Sequence, residues 1–206
     1  MRGYFGIGAE GISKAMNVGA LMRTTHAFGG SFFFTVAAAY DRRESERADT
    51  SKGAVNLPVF EFADARALRL PKDCALVGIE LAPDAIELPS FRHPRAAAYV
   101  LGPERGSLSA ELTALCDFVV KIPTRFCVNL GLAGAIVMYD RLLSMGRFAP
   151  RPVAPGGPSE PLVVPEFGDP VWARKQRRRA RQALSAGEAV EGVSDRPVVR
   201  PSTGSG

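Results

Sequence analysis

The sequence predicts an α/β fold, a mostly parallel sheet flanked by helices, carried by one domain and followed by a tail. Over residues 1–148, short apolar runs rich in β-branched and aromatic side chains alternate with segments of helical periodicity, the pattern of strands joined by crossover helices. A length of 206 residues suits one globular domain with some excess. The hydrophobic share of 46% and charged share of 23% are those of a chain able to bury a core.

Taken in order, the apolar runs predict strands at residues 4–7, 31–36, 75–79, 98–101 and 118–122, with a shorter one at 59–61. Between the first two, Val18, Leu21, Met22, Thr25 and Phe28 recur at helical spacing and are stopped by Gly29 and Gly30, which predicts a helix over 17–28. Ser109 is a suitable N-cap for a helix over 109–115. A longer apolar helix is expected over 130–145, closed by Gly146 and packed on the sheet. From Ala149 the composition shifts to proline, glycine and valine, which sustain neither helix nor sheet ladders. The expected organisation is therefore a folded domain at 1–148 and, at 149–206, a linker with a basic, disordered tail.

The formal charge of +5 favours a polyanionic partner. Its distribution is uneven: beyond residue 148 nine Lys or Arg face six acids, leaving only +2 on the folded part. Arg174, Lys175, Arg177, Arg178, Arg179 and Arg181 crowd one segment that can become helical. Residues 41–52 (DRRESERADTSK) form a candidate phosphate-facing loop, with a solvated charged loop as the plain alternative. Cys74, Cys116 and Cys127 show no CxxC spacing and no pairing with histidine, so they read as reduced thiols and no metal site is expected. With only His26 and His93 available, chemistry built on several imidazoles is excluded. No run reaches the roughly 18 apolar residues of a membrane helix, and the start lacks a basic stretch followed by an apolar one. A cytoplasmic protein is expected.

Three segments join glycine or proline to a few polar groups at strand ends or helix starts: 17–29 (NVGALMRTTHAFG), 101–108 (LGPERGSL) and 122–135 (IPTRFCVNLGLAGA). In the first, Asn17 and Arg23 lie six residues apart and share one helix face imperfectly. Asn17 alone reads equally well as an N-cap, and Arg23 as a salt-bridging surface residue. In the second, Gly102 and Pro103 after an apolar strand let a ligand approach the backbone, with Glu104 following; a plain turn with an exposed glutamate is the alternative. In the third, Ile122 and Pro123 end a strand, and Asn129 and Leu130 enter a helix whose Gly131 and Gly134 permit close packing whatever the function.

Together these motifs, in this order and spacing, resemble the SpoU/TrmH branch of the SPOUT RNA methyltransferases over residues 1–148. The resemblance implies a SPOUT fold with a C-terminal trefoil knot, S-adenosylmethionine as cofactor, and methylation of a ribose 2'-hydroxyl in RNA, with tRNA the expected substrate and rRNA the alternative. It places Arg23, Asn17, Glu104 and Asn129 on the catalytic face, and Ile79, Gly102, Ile122, Pro123, Asn129 and Leu130 against the cofactor. It also implies a homodimer in which the Arg23 helix of one subunit faces the cofactor of the other. An arginine, protonated up to a pH of roughly 12 or more, is a poor base, so positioning and electrostatics are its first expected role. The stretch 78–81 (GIEL) is expected to form a further cofactor wall, although Glu80 taken alone reads as a solvated strand-end residue.

The chain departs from the family where many members carry serines two residues before and after the motif asparagine: Cys127 and Gly131 stand there, and the loop after Pro123 is short. Lost hydroxyls make a catalytically silent RNA-binding relative the first rival reading. A Rossmann dehydrogenase ranks lower, because no GxGxxG is read as following the first strand and no acidic residue ends the second.

Overall fold

The computed structural model describes residues 3–40, 57–146 and 148–158, together with Lys175, Arg178 and Gln182. The chain divides into two compact units, Met1–Phe148 and Ala149–Gly206. In the second, residues 149–158 have no regular element, and Lys175 and Arg178 are exposed and helical. The rest of the arginine cluster and the charged segment 41–52 lie outside the described residues.

The described part of the first unit carries a sheet of seven strands: β1 (Tyr4–Glu10), β2 (Phe32–Val36), β3 (Val59–Phe62), β4 (Ala75–Ile79), β5 (Ile86–Glu87), β6 (Ala96–Leu101) and β7 (Phe118–Lys121). Their order is β3-β2-β1-β6-β4-β7-β5, and every pairing is parallel. Three α-helices accompany them: α1 (Ala15–Ala27), α2 (Ala110–Leu115) and α3 (Leu130–Met145). The expected α/β class with a parallel sheet is what the structure shows.

Alternation along the strands sorts the core into two layers. Phe5, Ile7, Phe33, Tyr99 and Leu101 face α1 and α3, against Val18, Leu21 and Val137. Phe32, Phe34, Ala98 and Val100 face the other way, against Leu108 and Leu112 of the α2 region. Gly6 and Gly8 of β1 sit opposite Phe32 and Phe34. A Cβ at Gly6 would lie 2.2 Å from the Phe32 ring, and one at Gly8 would lie 2.5 Å from the Phe34 carbonyl oxygen. Gly6, Gly8 and Gly11 have GxGxxG spacing, but the first two lie inside β1 rather than in a turn after it. They make room for aromatic rings, not for a dinucleotide.

At the amino-terminal end of the sheet α3 is pinned by a buried polar chain. Arg141, 4% exposed, donates to the carbonyls of Pro94, Arg95 and Tyr4 and to the Tyr99 hydroxyl. Tyr99 Oη lies 2.6 Å from His93 Nδ1, and His93 Nε2 lies 2.9 Å from Asp140 Oδ2. Since arginine only donates, Tyr99 accepts from it and donates to His93, which in turn donates from Nε2 to Asp140. Burial lowers the His93 pKa despite the pull of Asp140, with the Arg141 charge adding to the lowering. Burial raises that of Tyr99 to about 12 against the opposing Arg141 charge and hydrogen bond.

Two outcomes follow. Gly8→Ala is expected to destabilise the fold by about 1–3 kcal/mol, read by urea unfolding, because backbone must move to admit the methyl. Folded His93 refuses a proton that the unfolded chain accepts, so its contribution is complete above the ordinary value of 6.5 and falls as pH drops from there toward the depressed folded value. His93→Gln flattens that part of the stability–pH curve.

Candidate active site

The carboxyl ends of β4, β6 and β7 open into a cleft of about 270 Å³, whose walls include Ile79, Leu101, Gly102, Glu104, Ile122 and Leu130. Such a position, outside the carboxyl edge of a parallel sheet, is where open α/β folds receive ligands. Asn17, Asn129 and the 78–81 stretch, through Ile79, Glu80 and Leu81, complete the lining drawn from the sequence. Lys14, Thr124 and Ala133 also line it. Ala133 was legible by helical spacing, four residues after Asn129, while nothing local marked Lys14, which precedes the helix expected from residue 17, or Thr124.

A hydrogen-bonded chain ties the three motif segments together. Glu104 Oε1 accepts from the Lys14 N–H at 3.1 Å and from Asn17 Nδ2 at 3.0 Å, and Oε2 accepts from the Ser13 N–H and Oγ at 3.3 and 3.4 Å. Asn17 Oδ1 accepts from Asn129 Nδ2 at 3.3 Å. Asn129 Oδ1 takes the Gly131 and Leu132 amides and so caps α3. Asn17 is itself no cap: α1 begins earlier, its N-cap is Lys14, and that side chain caps nothing. Partial burial pulls the Glu104 carboxyl upward, but donors from Asn17, its own backbone, Lys14 and Ser13 outweigh this and hold it below the ordinary carboxylate value.

The 102–109 segment is staked from two further sides. Glu80 Oε2 accepts from the Leu108 N–H at 2.8 Å and Oε1 from the Leu81 N–H. Glu10, buried at the end of β1, accepts from the Ser109 N–H at 2.7 Å. Glu80 is thus half-buried and bonded rather than solvated. A Cβ on Gly102 would stand 3.0 Å from the Leu108 nitrogen, so glycine keeps this wall thin.

Two of the sequence-derived residues lie outside the lining. Pro123 is exposed beside Ile122 and Thr124, which do line the cleft. Arg23 is exposed on α1; six residues rotate a helix by about 600°, so Arg23 points about 120° away from cleft-lining Asn17. Met16 and Ala20, seven and three residues before Arg23 on α1, and Leu132, Ile136 and Tyr139 at helical spacing on α3 are also exposed, an apolar stripe on each of two helices that pack together. Among the described residues no helix is long and apolar enough to cross a membrane.

Comparison with known proteins gives the family. The SpoU rRNA methylase family model matches residues 5–139. The 23S rRNA (guanosine-2'-O-)-methyltransferase RlmB of Nitrosomonas europaea is 31% identical over 140 residues, 64% of this chain and 53% of the relative. The tRNA (guanosine(18)-2'-O)-methyltransferase of Borreliella burgdorferi is 29% identical over 143 residues, covering 66% of this chain and 65% of the relative. The chain thus spans about half the length of the first and just under two thirds of the second. Among solved structures, an AdoMet-bound rRNA methyltransferase from Sinorhizobium meliloti superposes with a TM-score of 0.64 at 19% identity, covering 71% of this chain and 59% of that one, a likeness of fold. With a family model matched across most of its sheet and helices, this chain belongs to the SpoU rRNA methylase family, the SpoU/TrmH branch of the SPOUT methyltransferases.

Proposed function

We propose that this chain transfers a methyl group from S-adenosylmethionine to a ribose 2'-hydroxyl of RNA. The observation that carries the reading is the Glu104–Asn17–Asn129 chain, which gathers the three motif segments around one cleft. The residues present fit the cofactor: Ile79, Leu101, Ile122 and Leu130 offer an apolar floor for a purine, Gly102 leaves backbone accessible, and the carboxylates of Glu80 and Glu104 lie on the wall of a site for a cation. When bound, S-adenosylmethionine supplies a methyl group made electrophilic by its sulfonium. The protein's part is alignment of the ribose oxygen and relief of its proton.

Glu104 acts in this reading as a positioning residue. A carboxylate offers about four acceptor sites, and Ser13, Lys14 and Asn17 supply four donors, leaving little capacity to take a substrate proton. Arg23 is the residue assigned to the RNA, holding phosphate and the developing oxyanion. Its direction away from its own cleft is the reason to propose a homodimer: pairing through the Met16, Leu132, Ile136 and Tyr139 face buries apolar surface and carries Arg23 toward the partner's cleft. The trefoil knot belongs to the same proposal. It is supported by the 102–106 and 122–130 segments closing one cleft, and by α3, which follows a strand beyond β4, packing back on α1. We favour tRNA as substrate, because the tRNA enzyme is the curated relative of these two whose length this chain covers more fully.

Incubation with labelled cofactor and total RNA, followed by mass-spectrometric mapping of the modified ribose, tests activity and substrate together. Absence of cofactor binding by calorimetry favours instead a silent RNA-binding relative, the reading that Cys127 and Gly131 support. Arg23→Ala is expected to lower incorporation by roughly 100-fold or more while sparing cofactor affinity. Ile136→Glu is expected to give a folded monomer by light scattering with a comparable loss of transfer; an active monomeric wild type would remove the dimer. Glu104→Ala is expected to cost about 1–2 kcal/mol of stability. Because the folded carboxyl titrates below its ordinary value, that contribution is present above the unfolded pKa and lost as pH falls through the folded one. The variant's acid limb should therefore be flatter.

A further inference from the structure

Between Pro123 and Asn129 the chain has only five residues, and they are held in place. The Thr124 N–H donates to the Ile122 carbonyl at 2.7 Å, and Thr124 Oγ1 donates to the Phe126 carbonyl at 2.9 Å. On this short, self-bonded loop Phe126 is 76% exposed, the most exposed aromatic ring among the described residues. Its neighbours in sequence face two ways: Thr124 and Cys127 line the cleft, and Arg125 is exposed beside them. A lone exposed apolar side chain is unremarkable, but this one lies between exposed Arg125 and cleft-lining Cys127. Lys14 lines the same cleft, and Arg105 is exposed between Glu104 and Gly106, both of which line it. The Glu104 carboxylate on that rim is engaged by Ser13, Lys14 and Asn17.

An exposed ring beside a guanidinium, next to a cleft with further cations on its lining and rim, is the combination that binds single-stranded nucleic acid, with base stacked on ring and phosphates held by cations. A paired A-form helix keeps its base faces stacked inside and offers such a ring nothing to cover. We propose that Phe126, with Arg125, is a stacking shelf for an unpaired base at or next to the methylated nucleotide, so that the substrate is presented from a single-stranded loop. The proposal rests on the methyl-transfer reading of the cleft. It favours RNA over a second copy of the chain as occupant, because the apolar face suited to self-association runs along α1 and α3, whereas Phe126 is bordered by Arg125.

The test uses the full chain and a fluorescent single-stranded RNA 12-mer, alone and annealed to its complement. The wild type is expected to prefer the single strand. Phe126→Ala should weaken that binding by about 10-fold with the duplex little changed, Phe126→Trp should restore it, and the cofactor affinity and solution mass of both variants should match the wild type. Wild-type RNA affinity in Phe126→Ala overturns the shelf, as does a loss that Phe126→Trp fails to recover or that comes with a changed oligomeric state. Failure of the wild type to bind S-adenosylmethionine would overturn the enzymatic reading alone, and the RNA affinities would still decide the shelf.

Discussion

The site depends on one carboxylate placed where a helix begins. The Lys14 side chain stands at the N-cap of α1 and can only donate, so the Ser13 and Lys14 amides there take their acceptor from elsewhere. Glu104 supplies it from 90 residues away, on a segment that also borders the cleft. Its charge then sets the orientation of everything that follows. Asn17 must turn its Nδ2 to the carboxylate, which leaves Oδ1 for Asn129, which must turn Nδ2 to Asn17 and Oδ1 to the amides of α3. Two helix N-termini and one loop thus share a single chain of donors and acceptors, so no member can rotate alone.

The framework around that chain resists movement at both ends of the sheet. At the carboxyl edge Glu10 and Glu80 hold consecutive amides of the 102–109 segment. At the amino edge Arg141 draws together carbonyls from β1 and the approach to β6, and its neighbour Asp140 reaches His93. Helix α3 spans the distance, capped by Asn129 at one end and tied by Asp140 and Arg141 near the other. It lies close on α1 because Gly134 carries no side chain: a Cβ there would stand 2.4 Å from Leu21 Cδ2 and 3.2 Å from Ile7 Cδ1. Rigidity of this kind is what the proposed methyl transfer, a reaction governed by alignment, requires.

How much of this was legible in the sequence depended on whether the cause was local. The buried strands announced themselves through runs such as FFFTV, and α3 through its length and apolar period. β1 runs on through Gly8, Ala9 and Glu10, residues with weak strand preference, because β2 and β6 pair with it on both sides. The two-residue β5 had no pattern to read. The start of α1 before Asn17 was hidden because its acceptor is Glu104, distant in sequence. For the same reason Glu80 looked solvated: the Leu108 amide that it holds lies 28 residues on. The three motif segments do converge on one cleft, but Arg23 is turned outward by the helical rotation that buries Asn17. A single chain's sequence does not say what lies on that outer side.

The two departures from the family's serines bear on chemistry less than their positions first imply. At Gly131 the backbone amide, not a side chain, makes the bond to Asn129, and any Cβ there would stand 3.2 Å from the Asn129 acceptor and 3.5 Å from Ala20. Glycine suits the crowded crossing of α1 and α3, and the cap it completes needs no hydroxyl. Cys127 lies on the cleft wall with an exposed side chain and no part in the Glu104–Asn17–Asn129 chain. Replacing a hydroxyl by a thiol there removes a strong donor from the rim while leaving the backbone that frames the pocket in place. What orients the cleft, two asparagines and a glutamate whose oxygens are engaged by four donors, does not pass through either replaced position.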